Sequence, residues 1–167
     1  MEPICLLTTL DQHYLPQLQV LITSLAINNQ EENFSIYLLH SGLSEARLVK
    51  VRQQCQTHGY QFFPILIPEE VFRDAPVTRQ YPKEMYYRLL AQYFLPESLS
   101  RILYLDPDIL IINPLRPLWE IDLGENLLAA AAHTGKTELA NNINRIRLST
   151  ERDYYNSGVL LMNLDAC

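Results

Sequence analysis

The chain has 167 residues, 48% of them hydrophobic, so it is long enough and apolar enough to form one folded domain with a core. Its net charge of −6 and its lack of a long lysine and arginine cluster argue against binding to nucleic acid. No apolar run approaches about 18 residues, so no transmembrane helix is predicted. The start, Met1-Glu2-Pro3, lacks the basic region of a signal peptide, and the three cysteines follow no disulfide or zinc spacing. We therefore expect a cytoplasmic protein in a reducing compartment.

The first third of the chain alternates between predicted strands and predicted helices. Short apolar runs predict strands at Ile4–Thr9, Phe34–His40 and Gln61–Ile67. Leucines at helical spacing predict a helix that begins near Pro16 and ends at Asn28-Asn29. Ser44 is a suitable N-cap for a second helix, which ends at Gly59. This alternation is typical of βαβ units, so we expect an α/β fold with a parallel sheet.

The rest of the chain contains a loop, further helices and more strands. Pro68–Pro82 is polar and predicts a surface loop, and Lys83–Phe94 predicts a helix that ends before Pro96. Gly135–Ser149 is amphipathic and polar, and we expect a short helix and a loop there. Three more apolar runs predict strands at Arg101–Leu105, Leu127–Ala132 and Val159–Leu164. Because no internal boundary is visible, residues 1–167 are expected to form one domain.

Asp106-Pro107-Asp108 is the most informative motif of the sequence. It interrupts a run that is otherwise apolar from Ile102 to Ile112, which reads as a buried strand. Two carboxylates at the edge of a core need compensation, and Mg²⁺ or Mn²⁺ is a suitable partner because hard divalent cations prefer oxygen ligands. The alternative is an ordinary turn, since aspartate and proline are common turn residues. Spacing alone does not separate these interpretations.

Three other segments carry candidate binding residues, each with a structural alternative. Asp11 follows the first strand, where ligands bind in open α/β sheets, but it could equally form an Asx turn or a helix cap. Arg88 lies among apolar and aromatic neighbours and needs an anionic partner, which is either a ligand or a structural carboxylate. Asn156-Ser157-Gly158 could contact a sugar or could form a turn before a strand. No Gly-x-Gly-x-x-Gly or Walker-type loop is present.

Taken together, these segments resemble the family 8 glycosyltransferases, whose bacterial members include lipopolysaccharide galactosyl- and glucosyltransferases. A single Asp-x-Asp is weak support, but five ordered segments at compatible spacing are strong support. The matching segments are the first strand with Asp11 and Tyr14, the helix with Tyr87 and Arg88, Ile102–Asp108, Pro117–Gly124, and Tyr155–Leu164.

The resemblance implies a GT-A fold, which is a Rossmann-like, mostly parallel sheet with helices on both faces. It implies transfer of a hexose from a UDP-sugar to a hydroxyl of a carbohydrate or glycolipid acceptor, with retention of anomeric configuration, as in lipopolysaccharide biosynthesis. It implies that Asp106 and Asp108 hold Mn²⁺ or Mg²⁺ against the diphosphate. The residues it places at the nucleotide-sugar are Thr9, Asp11, Tyr14, Arg88, Asp106 and Asn156.

The sequence departs from the family pattern at three points. His13 stands where relatives often carry asparagine, and His133 lies near an acceptor-side aspartate of some relatives. Relatives also continue beyond the position of Cys167, with an acidic or amide motif and a histidine that complete their site. We therefore expect the chain to be the N-terminal, nucleotide-binding part of a longer enzyme, with weak UDP and metal binding and little turnover. Catalytic residues are expected beyond Cys167.

Two other functions remain open at this stage. The chain could be a non-catalytic module that binds a nucleotide-sugar, or a metal-dependent phosphatase or nucleotidyltransferase on a related α/β scaffold. Peripheral association of the full-length protein with the inner membrane is also open, because some relatives use a basic, aromatic C-terminal tail that this chain does not have.

Overall fold

The structure is a computed structural model that describes residues 2–73, 75, 83–132, 142–143, 145–147, 149–151 and 155–166. The predicted helix and loop at Gly135–Ser149 and the predicted loop at Pro68–Pro82 fall partly outside these residues. The helices and strands of the described residues are β1 Ile4–Thr9, α1 Leu15–Asn28, β2 Phe34–His40, α2 Glu45–Thr57, β3 Gln61–Leu66, α3 Glu84–Tyr87, β4 Arg101–Leu105, α4 Arg116–Trp119, β5 Leu128–Ala132 and β6 Tyr155–Asn163.

In the described part of the chain, six strands form one sheet in the order β3-β2-β1-β4-β6-β5. The β1–β2, β2–β3 and β1–β4 pairs are parallel, whereas β6 runs antiparallel to both β4 and β5. The chain builds outward from β1 through β2 to β3 and then returns to place β4 on the other side of β1. This reversal creates a topological switch point between the carboxyl ends of β1 and β4.

Both faces of the sheet are covered, which explains the continuous apolar runs of the central strands. Alternate residues of each strand point to opposite faces. Ile4 and Leu6 of β1 pack with the buried residues of α1 and α2, whereas Cys5 and Leu7 pack with Tyr87. Every residue of β1 and β2 is buried, while the edge strand β3 is mostly half-buried or exposed. The predicted α/β architecture, mostly parallel with helices on both faces, is confirmed.

The strand predicted at Arg101–Leu105 has those bounds, and Ile112, beyond the Asp-Pro-Asp motif, is exposed. Two other local predictions differ from the structure. The predicted helix Lys83–Phe94 is a short α-helix followed by a 3-10 segment, Arg88–Tyr93, in which Leu90 leaves helical geometry (φ −118°, ψ 19°). Asn156-Ser157-Gly158 lies inside β6 rather than in a turn before it, because β6 begins at Tyr155.

Polar side chains at the end of α1 hold the irregular segment that follows β4. Ser24 Oγ accepts a hydrogen bond from the amide of Ile111 (3.0 Å), and Asn28 Nδ2 donates to the Ile111 carbonyl (2.9 Å). Asn29 Oδ1 accepts from the amide of Leu115 (2.7 Å), while its Nδ2 donates to the Leu25 carbonyl (3.2 Å). These bonds provide partners for buried backbone groups that are not paired within a helix or a strand. They fix the chain just after Asp106-Pro107-Asp108 against α1.

Within the part of the chain that the structure describes, no helix combines the length and the apolar character needed to cross a membrane.

Asn29→Ala is expected to lower the free energy of unfolding by about 1–3 kcal/mol, because the substitution leaves the buried amide of Leu115 without an acceptor. Urea denaturation followed by circular dichroism measures the change. Gln30→Ala is the matched control, since the neighbouring Gln30 is exposed and makes only a long 3.4 Å contact with the Ile27 carbonyl. Equal unfolding free energies for the two variants would contradict the anchoring role of Asn29.

Candidate functional site

A cleft of about 140 Å³ opens at the switch point, at the carboxyl ends of β1 and β4. Six of the residues predicted from the sequence come together in its walls, namely Thr9, Asp11, Tyr14, Arg88, Asp106 and Asp108. The other lining residues are Leu10, Glu84, Met85, Tyr104 and Pro107. This is the location where doubly wound sheets bind ligands. Asn156 is the one predicted binding residue that does not line this cleft.

Asp106 and Asp108 lie on a tight turn at the end of β4. The amide of Ile109 donates to the Asp106 carbonyl (3.2 Å), which closes a turn with Pro107 at its second position, where proline is favoured. Pro107 is buried, whereas Asp108 is exposed and Asp106 retains 33% side-chain exposure. The motif is therefore a turn, as one interpretation of the sequence held, and this turn directs both aspartates to the cleft.

One carboxylate oxygen of Asp106 is held by protein groups. The Tyr104 hydroxyl donates to Asp106 Oδ1 over 2.5 Å, and Arg88 Nη1 lies 3.3 Å from the same oxygen. The Arg88 guanidinium also stacks over the Tyr104 ring, 4.4 Å from its centroid. Among the described residues, Asp106 Oδ2 has no hydrogen-bond or ion-pair partner. Asp106 is thus fixed through one oxygen and offers the other.

Arg88 is almost completely buried and is bonded to the protein on several sides. Its Nε donates to the Met85 carbonyl (3.0 Å) and its Nη1 donates to the Ser157 carbonyl (2.6 Å) in β6. The ion pair with Asp106 is the structural carboxylate contact that the sequence left open for this residue. A direct contact of Arg88 with a donor sugar stays a prediction.

The Tyr104 hydroxyl is a stable donor in this network. Burial, with the Asp106 carboxylate beside it, raises the pKa of Tyr104 far above its ordinary value. The phenol therefore stays protonated throughout the physiological range. Its oxygen also lies 3.3 Å from Thr9 Oγ1 in β1. Tyr104 was not singled out from the sequence, although its position two residues before Asp106 places both side chains on the same sheet face.

Gly158 allows β6 to approach Asp106 closely. The amide of Asp106 donates to the Gly158 carbonyl (2.8 Å), and a Cβ on Gly158 would lie 2.6 Å from Asp106 Oδ2. The amide of Gly158 donates to Asn156 Oδ1 (2.7 Å), which turns the Asn156 side chain back onto its own strand. Asn156 thus lies beside the Asp106 carboxylate without lining the cleft, and its predicted contact with a sugar stays a prediction.

Asp11 and Glu84 also line the cleft. Asp11 Oδ1 accepts from the amide of His13 (2.7 Å), so it caps the short 3-10 turn Gln12–Tyr14 and lines the cleft as well. Glu84 accepts from the Ser41 hydroxyl (2.5 Å), which links α3 to the loop after β2. Glu84 was missed because nothing in its sequence context separates it from a solvated helix residue. His133, the other sequence departure, lies outside the described residues.

The donor set of the turn fits a hard divalent cation. Asp106 Oδ2 and the Asp108 carboxylate have no partner among the described residues, and both belong to the oxygen donors that Mg²⁺ and Mn²⁺ prefer. No cluster of three or more histidine, cysteine, aspartate or glutamate side chains suited to a metal occurs in the ranges the structure describes. A cation held by this pair would keep coordination positions for ligand oxygens.

The sheet topology and the paired carboxylates define an α/β domain with an acidic cleft at its switch point. Residues 5–167 match the model of glycosyl transferase family 8, and the chain belongs to that family.

Relatives of known sequence and structure agree with this assignment. The chain is 27% identical over 157 residues to the lipopolysaccharide 1,2-glucosyltransferase of Escherichia coli K12, covering 92% of this chain and 46% of that protein. It is 22% identical to general stress protein A of Bacillus subtilis 168, covering 93% of this chain and 54% of the relative. The chain spans about half the length of the curated relatives it matches.

A solved structure matches the whole described fold. The crystal structure of galactosyltransferase LgtC in complex with donor and acceptor sugar analogues superposes with a TM-score of 0.85 at 27% identity. The match covers 98% of this chain and 59% of LgtC. The GT-A fold predicted from the sequence is confirmed by this superposition.

Gly158→Ala is expected to displace the Asp106 carboxylate, because the added methyl group would lie 2.6 Å from Oδ2. Since a side-chain end can move aside, the loss of stability should stay within about 1–3 kcal/mol. Binding of Mn²⁺ by the folded variant should weaken by about 10-fold or more, because the carboxylate leaves its fixed position. Isothermal titration with Mn²⁺ and thermal unfolding measure the two effects separately.

Gly124→Ala is the matched control for this prediction. Gly124 has a φ of +53° with no atom within 4 Å of an added Cβ, so alanine there introduces backbone strain away from the cleft. This control should lower the unfolding free energy without changing Mn²⁺ affinity. Unaltered Mn²⁺ binding in Gly158→Ala would show that the close approach of β6 does not position Asp106.

Proposed function

We propose that this chain is a nucleotide-sugar-binding domain that takes part in hexose transfer from a UDP-sugar to an acceptor hydroxyl, with a divalent cation and retention of configuration. The observation that carries the proposal is the pair Asp106 and Asp108, which share one cleft at the switch point and keep partner-free carboxylate oxygens among the described residues. Membership of family 8 and the likeness to LgtC support sugar transfer.

The electrostatics of the cleft favour a cation and, through it, a diphosphate. Asp11, Asp106, Asp108 and Glu84 all line the cleft, and Arg88 is already paired with Asp106. An anionic diphosphate alone would be repelled by this excess of carboxylates. When bound, Mn²⁺ or Mg²⁺ would supply Lewis-acid stabilisation of the charge on the departing UDP. Because Asp106 and Asp108 would repel the diphosphate, a cation between them is required for the diphosphate to bind.

Residues around the diphosphate position would hold the rest of the donor. Asp11 lines both this cleft and a neighbouring hollow that also includes His13 and Gly42, which supports a role for its carboxylate as a hydrogen-bond acceptor for a ribose or base. Tyr14 is 41% exposed at the same edge and offers an aromatic face for stacking. Thr9 is buried beside Tyr104, so its hydroxyl supports the site through its contact with the Tyr104 hydroxyl.

The transfer itself breaks the bond between the anomeric carbon and the diphosphate oxygen and forms one to the acceptor oxygen, whose proton leaves with the departing UDP. Retention requires the acceptor hydroxyl to meet the oxocarbenium-like carbon from the side of the leaving group. Through the cation that they would hold, Asp106 and Asp108 would fix the diphosphate and so keep the leaving group on that side. The acceptor class we propose is a carbohydrate or a glycolipid, as in the lipopolysaccharide glucosyltransferase of Escherichia coli.

Asp108→Asn is expected to weaken UDP binding in the presence of Mn²⁺ by at least about 10-fold, because one of two anionic donors is lost. In EDTA both proteins should bind UDP weakly, and the variant no more weakly than the wild type, because it has one carboxylate fewer to repel the diphosphate. Isothermal titration with UDP, with and without Mn²⁺, measures this. Glu125→Gln is the control, since it removes the same charge from an exposed position outside the cleft. UDP affinity that is the same in both variants would mean that the paired carboxylates form only a turn.

The bond that is cleaved separates sugar transfer from the two other functions considered from the sequence. We expect mass spectrometry of UDP-hexose incubated with Mn²⁺ and candidate acceptors to show slow formation of UDP and a glycoside. Proton NMR of the product should show the donor's anomeric configuration. Release of a sugar phosphate instead would favour phosphoryl or nucleotidyl chemistry, and tight UDP binding without any cleavage would favour a non-catalytic module.

A further inference from the structure

A buried relay of hydroxyl groups connects β1 to the Asp106 carboxylate. Tyr104 is fully buried in β4, and its phenolic oxygen lies 2.5 Å from Asp106 Oδ1. A carboxylate can only accept, so Tyr104 donates this bond. The contact of 3.3 Å between Tyr104 and Thr9 must then run from the Thr9 hydroxyl to the phenolic oxygen. The relay therefore has one direction, from Thr9 through Tyr104 to Asp106.

Arg88 contacts the same oxygen of Asp106, Oδ1, and does not contact Oδ2. Its guanidinium lies over the Tyr104 ring at 4.4 Å and reaches Asp106 Oδ1 at 3.3 Å. The carbonyls of Met85 and Ser157 hold the guanidinium in this place. The Tyr104 hydrogen bond and the Arg88 ion pair thus converge on Oδ1, and the carboxylate group cannot rotate without losing both. Oδ2 lies toward Gly158 and has no hydrogen-bond or ion-pair partner among the described residues.

We propose that Tyr104 is a positioning residue of the site, which orients Asp106 so that Oδ2 alone is presented to a bound cation. This inference rests on the proposed function, because it assigns a role in the cation site that Asp106 and Asp108 would form. Tyr104 touches neither the cation nor the sugar in this role. It acts through Asp106, in the way that outer partners orient metal-binding carboxylates.

Tyr104→Phe is the direct test, since it removes one hydroxyl and keeps the ring beneath Arg88. We expect the variant to bind Mn²⁺ about 10- to 100-fold more weakly, the range typical for loss of an outer partner of a metal ligand. Isothermal titration gives the affinity. Electron paramagnetic resonance of the bound Mn²⁺ should show a changed line shape, because the Asp106 carboxylate becomes free to rotate. A role confined to core packing would not change either quantity in the folded protein.

Tyr37→Phe is the matched control. Tyr37 is buried on the same sheet face, stacked on Phe63, and does not line the cleft. Its substitution should leave Mn²⁺ affinity and the resonance spectrum as in the wild type. Thermal unfolding of both variants without metal reports the loss of stability from each lost hydroxyl. An affinity change shared equally by the two variants would overturn the assignment to Tyr104.

Thr9→Val keeps the test usable if Tyr104→Phe does not fold. It removes the hydroxyl that donates to Tyr104 with almost no change in shape, and it should weaken Mn²⁺ binding roughly 3-fold, as expected for an indirect neutral hydrogen bond. If the wild type binds Mn²⁺ and the folded variants bind it with the same affinity, the positioning role is overturned. Failure of the wild type to bind Mn²⁺ would instead contradict the proposed function.

Discussion

Asp106 is a carboxylate at the end of a buried strand, and the protein compensates its charge on one oxygen only. Tyr104 and Arg88 converge on Oδ1, while Oδ2 has no partner among the described residues. Oδ2 is not among the buried unpartnered polar atoms of the described residues, and the Asp106 side chain keeps 33% exposure. Water can therefore solvate Oδ2 in the free protein, and the same oxygen is accessible to a cation. The fixation of Asp106 through Oδ1 determines how this residue faces the cleft, Gly158 and the neighbouring Asp108.

The fold brings these groups together by reversing the strand order beside β1. Thr9 comes from β1, Tyr104 and Asp106 belong to β4 and the turn that follows it, and Gly158 belongs to β6. Only a sheet in which β4 lies between β1 and β6 places all three strands at one point. The hydrogen bonds from Ser24, Asn28 and Asn29 then fix the chain after the turn. The site is thus supported by regular elements on three sides, which favours a preorganised geometry.

Much of the architecture follows from the sequence because its signals are local. The strand bounds Ile4–Thr9, Phe34–His40 and Arg101–Leu105 are those that the apolar runs predict, since central strands covered on both faces are apolar throughout. The helix that was predicted as one element at Lys83–Phe94 is interrupted at Leu90. Two residues earlier, the Arg88 side chain forms its ion pair with Asp106 at the end of β4. That contact joins residues distant in sequence and has no local pattern.

The candidate site likewise contains residues that a local sequence motif predicts and residues that no local motif predicts. Asp-Pro-Asp at the end of an apolar run is a local motif, and the carboxyl-end rule for α/β sheets places Asp11 near it. Tyr104 and Glu84 carry no such motif, because a tyrosine within a buried strand and a glutamate at the start of a helix have ordinary structural explanations. The role of Gly158 depends on the distance between β4 and β6, which only the folded structure defines.

The most direct measurement of the central claim is anomalous diffraction near the manganese absorption edge, from crystals of the protein grown with Mn²⁺ and UDP. The account requires one strong peak within coordination distance, about 2.0–2.3 Å, of both Asp106 Oδ2 and an Asp108 carboxylate oxygen, with the diphosphate on its open side. A cleft without such a peak under saturating Mn²⁺, or an Asp106 whose Oδ2 bonds only protein groups, would contradict it.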